Sequence, residues 1–146
     1  MLSVFEEYWE GIKKKYPGLR ANNPSPTAMV IAFAKHLGRE ITQEKITDIV
    51  NKLTREDGVS YPVAMRRVPR GLYSEDIGNF LAGLGAAGYA NPDVRFLDNV
   101  PLGLTKDGWS VIYRILSDEF QEDPVLFIKL GDAVLQHLKK MEIAPA

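Results

Sequence analysis

Residues 84–109, LGAAGYANPDVRFLDNVPLGLTKDGW, restrict the possible fold more than any other part of this sequence. A helix end rich in glycine and alanine is followed by two short apolar runs, residues 94–97 and 101–104, each of the right length for a short strand. A Leu-Thr-x-x-Gly motif comes next, and its Thr105 is a favourable N-terminal cap for another helix. The stretch therefore predicts a β-hairpin between two helices, with Pro101 at a strand start or on a sheet edge.

The residues before this stretch predict two helices joined by a tight turn. Pro62 can begin a short helix that runs through Arg67, and the following residues, Val-Pro-Arg-Gly at 68–71, are typical of a turn. Ser74 can then cap a longer helix, since apolar residues recur after it at helical spacing. A short helix, a turn and a longer helix make up the helix-turn-helix arrangement.

Four further helices are predicted outside this region. The first begins at Ser3, which has the capping-box spacing to Glu6, and ends at Pro17-Gly18 after three lysines at 13–15. Its apolar face consists of Val4, Phe5, Tyr8, Trp9 and Ile12. Residues 22–26 contain two prolines and predict an irregular linker. The other helices cover residues 27–37, 42–53 and 124–141, and the first of these three is apolar almost all round, as expected for a helix in the centre of the core.

Length and charge favour one soluble domain. The chain has 146 residues, which predicts a single domain over residues 1–146. Its formal net charge is −1, so a nucleic-acid site would depend on local clustering of basic residues. Glutamates at 6, 7 and 10 interrupt any signal-peptide run, and no segment approaches the roughly 20 apolar residues of a membrane span. We therefore expect a cytoplasmic protein without a membrane partner.

The order of these elements resembles the winged-helix family over residues 60–117. The segments YSEDIGNFLAGLGAAGYA and LGLTKDGWSVIYRIL are similar to the family's capped helix ending in Leu-x-x-x-Gly-aromatic and to its Leu-Thr-x-x-Gly entry after the wing. The resemblance implies a mainly α fold, in which a winged-helix module (helix-turn-helix plus short β-hairpin) is embedded among N- and C-terminal helices. It also implies that the helix at 74–87 can lie in the major groove of double-stranded DNA.

The resemblance and the basic residues together give a set of candidate nucleic-acid contacts. The helix at 74–87 has Ser74, Glu75, Asp76 and Asn79 on or near its outward side, but it contains no lysine or arginine. Phosphate contacts would come from arginines before the helix, from the wing and from the helix after the wing. The full set is Arg66, Arg67, Arg70, Ser74, Asn79, Arg95 and Lys106. The alternative for the three clustered arginines is solvation or pairing with nearby carboxylates, namely Glu56, Asp57, Glu75 and Asp76.

The last predicted helix has a coiled-coil-like spacing that suggests a dimer. Phe127, Val134 and Met141 are seven residues apart, and Leu130 and Leu138 approximately fill the alternate positions. We expect a homodimer formed through these five residues. Packing of this helix on the first helix of the same chain would give the same pattern.

No motif in the sequence specifies a reaction. The chain has no cysteine. Its two histidines, His36 and His137, are far apart in the sequence, and we expect them at the surface or at helix ends. The carboxylate pair Glu44 and Asp48 lies on a polar helix face. The string GLGAAG at 83–88 closes a helix, whereas a dinucleotide fingerprint opens one. We therefore expect no enzyme, metal or cofactor. The sequence favours a DNA-binding transcriptional regulator, and the alternative is a winged-helix module that binds a protein partner without binding DNA.

Overall fold

The computed structural model describes residues 25–56, 65–69, 71–91 and 100–143. These residues form five α-helices and one small antiparallel sheet, so the expected mainly helical fold is confirmed. The first predicted helix, which begins at Ser3, lies outside them. In chain order the elements are α1 (Ser25–His36), α2 (Gln43–Arg55), β1 (Arg66–Val68), β2 (Gly71–Tyr73), α3 (Glu75–Ala86), α4 (Lys106–Phe120) and α5 (Pro124–Ile143).

Helix α1 occupies the centre of the core, as its apolar composition predicts. Its first seven residues are all buried, and it contacts α2, α4 and α5. The predicted linker at 22–26 is wrong at its end, because Ser25 and Pro26 form the first turn of α1. A proline is tolerated there because first-turn N–H groups have no acceptor within the helix. The helix is followed by Gly38, whose φ of 68° is readily accessible only to glycine.

Helix α2 is amphipathic and begins where the sequence predicts. Thr42 is its cap, and the Thr42 hydroxyl accepts a hydrogen bond of 3.3 Å from the backbone N–H of Lys45. The helix buries one apolar face against α1, α3 and α5, and this face consists of Ile46, Ile49, Val50 and Leu53.

A β-hairpin stands where a short helix was predicted. The prediction of a helix through Arg67 is wrong for its last three residues, since Met65 lies in no helix and Arg66 and Arg67 lie in β1; residues 62–64 are outside the described part of the chain. A helix of six residues is too short to be stable alone, whereas pairing of β1 with β2 satisfies the same backbone groups. Gly71, the first residue of β2, has a φ of 137° and lets the chain reverse there, so the predicted turn joins two strands and not two helices.

Residues 101–105 form hydrogen bonds with two other segments, the connection between α1 and α2 and the residues that follow α3. On one side, the N–H of Leu102 donates to the carbonyl of Ile41 at 2.8 Å. On the other side, Asn91 donates to Gly103 and Thr105 donates to Tyr89, each at 2.9 Å. This region was predicted as the second strand of a hairpin, but among the described residues it forms isolated bridges, Thr42 with Pro101 and Ala90 with Leu104.

The backbone pairing of residues 89–91 with 101–105 is interrupted because the side chain of Asn91 takes part in it. The Asn91 carboxamide oxygen accepts a 2.7 Å hydrogen bond from the N–H of Gly103, and its nitrogen donates to the carbonyl of Pro101 at 3.2 Å. Pro101 also has no N–H for a ladder. The other predicted strand, residues 94–97, lies outside the described residues.

Helices α4 and α5 complete the core around α1. Thr105 caps α4, and Asp123 accepts a 3.0 Å hydrogen bond from the N–H of Leu126 at the start of α5. Both helices bury one face in a single apolar cluster with α1, α2 and α3. The buried residues that they contribute are Ile112, Leu116, Phe120, Leu130, Val134 and Leu138.

Candidate nucleic-acid interface

The two strands pair as a short hairpin that carries exposed arginines; we call residues 66–68 and 71–73 the arginine hairpin. Arg66 is paired with Tyr73, and Arg67 with Leu72. Successive residues of a strand point to opposite faces, so the side chains of Arg66 and Arg67 do not share a face. The Arg66 guanidinium lies over the Tyr73 ring, with its Cζ 5.1 Å from the ring centroid. Both arginines are therefore exposed, on opposite faces of the hairpin, and Arg66 also contacts the Tyr73 ring.

Arg66 also reaches the first turn of α3. Its Nη2 atom lies 3.3 Å from Oε1 of Glu75, and the two side chains are 61% and 55% exposed. Pairing with a nearby carboxylate was the alternative interpretation of the arginine cluster, and for Arg66 this pairing is present. An ion pair this exposed contributes at most about 1 kcal/mol to stability, so a second anion can compete for the guanidinium.

The outward face of α3 differs from the sequence prediction at two positions. Ser74 is fully buried, because its hydroxyl accepts a 3.3 Å hydrogen bond from the N–H of Ile77 as the helix cap. Asp76 is only 6% exposed and points into the protein. The prediction that Ser74 contacts nucleic acid is therefore wrong. Asn79 is half-buried, and the exposed residues of α3 are Glu75, Ala82 and Ala86.

The glycine at the start of α3 has a packing role. A Cβ on Gly78 would lie 2.9 Å from the hydroxyl of Tyr73 and 3.1 Å from Nε2 of Gln43. Both distances are shorter than ordinary van der Waals contact, so Gly78 allows the arginine hairpin and α2 to approach α3. Gly78 therefore serves packing within the chain, while Ala82, one turn further on, is exposed.

The remaining candidate contacts are divided between a separate element and the undescribed part of the chain. Lys106 is exposed in the first turn of α4, next to Asp107, and lies on a different element from the arginine hairpin. Arg70 and Arg95 lie outside the described residues. Of the seven predicted contacts, the structure thus places Arg66 and Arg67 together at the hairpin.

Most of the predicted dimer residues belong to the core of the single chain. Leu130, Val134 and Leu138 are 1%, 0% and 3% exposed, because α5 packs on α1 and α2. A buried side chain offers no surface to a second copy, so the coiled-coil interpretation does not apply to these three. Phe127 and Met141 are half-buried and pack on the same core. The homodimer itself stays a prediction that sedimentation velocity can test.

The polar groups considered for chemistry lie in different environments. His36 is exposed at the end of α1 as predicted, but His137 is only 5% exposed, which contradicts its predicted surface position. Asp48 is partly buried, and desolvation, helped by the charge of Glu44, raises the pKa of its carboxyl although Lys52 opposes the shift. Within the described ranges, no group of three or more His, Asp or Glu side chains converges to hold a metal ion.

Comparisons with protein-family models, with curated proteins and with solved structures gave no match. Among the described helices, none combines the length and the apolar character needed to cross a membrane.

The sequence does not identify the hairpin, because the signal for pairing of its two strands is weak. Strands of three residues show too little alternation to identify, and β1 is mostly polar. The one local indication of the hairpin in this stretch is Gly71, two residues before Tyr73, because a glycine after Pro-Arg is typical of a chain reversal.

Proposed function

We propose that this chain is a winged-helix-like DNA-binding protein in which the arginine hairpin holds the phosphate backbone beside α3. The proposed module comprises α2 and α3 as the helix pair, with residues 89–91 and 101–105 as the two arms of a wing. It begins earlier in the chain than the resemblance over 60–117 suggested, because α2 takes the place of the short helix and the hairpin is inserted between the two helices.

The observation that carries this proposal is the contact between Arg66 and Glu75. It shows that the Arg66 guanidinium lies beside the N-terminal end of α3, and in helix-turn-helix proteins the N-terminal residues of the second helix contact the bases. Arginines beside that end are suited to bind phosphates and to set the register of the helix on the duplex. Arg67 is exposed on the other face of the same hairpin, where it can contact a separate phosphate.

The charge of Glu75 limits but does not forbid this binding. A single carboxylate at the start of α3 repels phosphate, and α3 supplies no basic side chain of its own. The contact of Arg66 with Glu75 is highly exposed, so a phosphate can replace the carboxylate at little cost in stability. We therefore expect weak binding with little base specificity, dominated by phosphate contacts.

The test is binding of a labelled random-sequence duplex, followed by fluorescence anisotropy at several salt concentrations. The variant Arg66→Ala/Arg67→Ala should weaken binding at low salt. It should also make the plot of the logarithm of the binding constant against the logarithm of the salt concentration shallower by about 1 to 2, because each phosphate contact that is lost releases roughly one counterion fewer. The matched control is Lys139→Ala/Lys140→Ala, which removes two adjacent exposed charges near the end of α5. Equal losses in both variants would show a nonspecific charge effect and contradict an interface at the hairpin.

A protein-binding module is the second candidate, and the outward face of α3 favours it. That face presents Glu75 and small side chains, Ala82 and Ala86, without a lysine or arginine. Small side chains allow the backbone of a partner protein to approach α3 closely. The negative charge of Glu75 repels the phosphates of DNA. If the variant-free protein is folded by circular dichroism and does not bind the duplex at low salt, the DNA-binding proposal is wrong and the protein-binding module takes its place.

A further inference from the structure

A groove with aromatic walls opens between α1, α4 and α5. It has a volume of about 510 Å³. The ring of Phe127 packs against two other rings of the lining, 6.1 Å from that of Phe33 and 5.4 Å from that of Phe120, centroid to centroid. Tyr113 adds a fourth ring, and its side chain is 50% exposed. The groove therefore offers aromatic surface from three helices against which a further ring can pack.

The α1 wall of the groove is held in place by a glycine on α5. A Cβ on Gly131 would lie 3.0 Å from Cζ and 3.2 Å from Cε2 of Phe33. Both distances are tighter than ordinary van der Waals contact, so the Phe33 ring rests directly on the backbone of α5. Two further lining residues, Leu116 and Phe120, are buried members of the apolar core. The groove is thus preformed by core packing, as pockets for small molecules usually are.

The size of the groove suits a molecule of a few rings. An apolar cavity of about 150 Å³ holds one benzene ring, and pockets for small molecules span about 300 to 1,000 Å³. At 510 Å³ the groove has room for about two to three fused rings. It is open to solvent along one side, which gives such a molecule a way in.

The lining is nearly free of charge, which selects against an ionic ligand. Among the described residues that line the groove there is no lysine, arginine, aspartate or glutamate. An ion would lose part of its hydration there without gaining an opposite charge. His36 is in the lining but exposed, so water screens any charge on it. The exposed carboxylates at 118–119, next to Ser117 on α4, oppose an anion.

Hydrogen-bonding groups of the groove are concentrated on α4. Tyr113, Ser117 and Gln121 follow one another at intervals of four residues, so they lie on one face of the helix, and all three are exposed. The side chains that face them from α1 and α5 include the apolar rings of Phe33 and Phe127. A ligand with one polar substituent can therefore bond to α4 while its rings pack on the other two helices.

We propose that this groove binds a neutral aromatic molecule of two or three rings that carries one hydrogen-bonding substituent. Its rings pack against Phe33, Phe127 and Tyr113, and the substituent bonds to Ser117 or Gln121. None of the described lining residues belongs to the arginine hairpin, so this binding is independent of the proposed DNA contact.

The first test is a titration of Prodan with the full-length chain. Prodan is a neutral naphthalene whose ketone accepts hydrogen bonds and whose emission shifts to the blue in apolar surroundings. We expect a single-site curve with a dissociation constant on the order of 10 to 100 µM, since a small ligand in a groove open on one side makes few contacts. Emission that stays at its value in water up to about 1 mM protein would overturn the proposal.

Displacement of Prodan by three two-ring compounds tests the charge of the ligand. Naphthol, naphthalenesulfonate and N-methylquinolinium are similar in size and differ in charge. Naphthol should displace Prodan at concentrations at least about ten-fold lower than either ion, because the lining does not compensate an ion for its lost hydration. An ion that displaces Prodan as well as naphthol does would contradict a neutral ligand.

Two matched variants test whether the groove is the binding site. Ala32→Phe adds a ring to the α1 wall and should weaken Prodan binding at least about five-fold, because the ring fills part of the volume. Ala82→Phe adds the same ring at an exposed position of α3, outside the lining, and should leave the affinity unchanged. Equal affinities of the two variants would contradict binding in the groove.

A second pair of variants keeps the proposal testable if Ala32→Phe does not fold. Tyr113→Ala removes an exposed ring from the lining and should weaken Prodan binding about three- to ten-fold. Val125→Ala shortens a side chain that is 74% exposed on α5 outside the lining, and it should have no effect. An equal loss in both variants would mean that Prodan binds exposed apolar surface in general, and the proposal would be wrong.

Sedimentation velocity separates a small-molecule site from an interface between two copies of the chain. We expect the fraction of occupied sites to depend on the free Prodan concentration alone. Loss of Prodan binding as a dimer forms at higher protein concentration would overturn the proposal, because a second copy would then cover the groove.

Discussion

Gly108 lies directly against the backbone carbonyl oxygen of Tyr89, so closely that a Cβ on residue 108 would overlap this oxygen. The same carbonyl accepts hydrogen bonds from the backbone N–H and the hydroxyl of Thr105, at 2.9 and 3.3 Å. The Thr105 hydroxyl in turn accepts a 3.1 Å hydrogen bond from the N–H of Gly108. The Leu-Thr-x-x-Gly motif therefore attaches the first turn of α4 to the chain that leaves α3.

This contact predicts the reverse of the usual effect of a glycine-to-alanine change in a helix. In a helix interior, alanine is favoured over glycine by about 1 kcal/mol, but Gly108→Ala would push a methyl group into backbone that has little room to move. We expect it to lower the free energy of unfolding by about 1 to 3 kcal/mol, measured by urea denaturation. Ser110→Ala, exposed in the same helix, should change it by less than about 0.5 kcal/mol; a stabilised Gly108→Ala protein would contradict the described contact.

Replacing the buried cap of α3 should destabilise the protein without a direct effect on DNA binding. Ser74→Ala removes the acceptor for the N–H of Ile77 and should cost about 1 kcal/mol. Because Ser74 is buried, duplex affinity measured well below the thermal midpoint should stay that of the parent. The comparison variant is Thr42→Ala, which removes the cap of α2 and should cost a similar amount. A loss of DNA affinity confined to Ser74→Ala would mean that its hydroxyl reaches the ligand.

Removing the carboxylate that pairs with Arg66 should strengthen duplex binding. Glu75→Gln leaves the size of the side chain unchanged, removes one repulsion of phosphate and makes Arg66 available. We expect affinity at low salt to rise about three- to ten-fold, while the free energy of unfolding changes by less than about 1 kcal/mol. Asp132→Asn removes an exposed charge from the middle of α5 and is the control for net charge. An equal gain in both variants would argue against a role for the hairpin.

Asp48 makes the stability of the protein depend on pH in a predictable direction. Burial, helped by Glu44, raises the pKa of its carboxyl above the unfolded value of 3.8, so the folded state favours the protonated form. Its stabilising contribution is complete below the unfolded pKa and is lost as the pH rises through the folded pKa. Asp48→Asn should therefore raise the thermal midpoint at pH 7 by roughly 1 to 2 °C and leave it unchanged near pH 3.

The measurement for this prediction is differential scanning calorimetry at both pH values. Glu44 and Lys52 stay in place, so the comparison isolates the Asp48 carboxyl. A lower midpoint for Asp48→Asn at pH 7 would show that the attraction to Lys52 outweighs the effect of burial.

Helix starts were the part of the fold that the sequence predicted well. Thr42, Ser74 and Thr105 each hydrogen-bond an N–H three residues later, so the whole signal lies within one turn of chain. The central position of α1 was likewise readable from its composition, because a helix with no polar side has to be covered on all sides.

Features that depend on distant pairing could not be predicted in this way. Asp76 looks like an exposed first-turn acid in the sequence, and only the tertiary fold buries it. The bridge between Thr42 and Pro101 joins residues about sixty positions apart, with no local signal at either end. The spacing of Val134 and Leu138 is equally suited to a dimer interface and to the chain's own core. In the fold, α1 and α2 pack against α5 and bury both side chains in the core.

The central position of α1 has a consequence for the order in which the protein is made. Its apolar surface is covered largely by α4 and α5, which begin about eighty and one hundred residues later. At ordinary rates of synthesis, roughly 5 to 20 residues per second, this helix has to wait several seconds outside the ribosome before its partners emerge. The faces of this helix that α4 and α5 cover therefore stay exposed to water until the residues after 105 have been made.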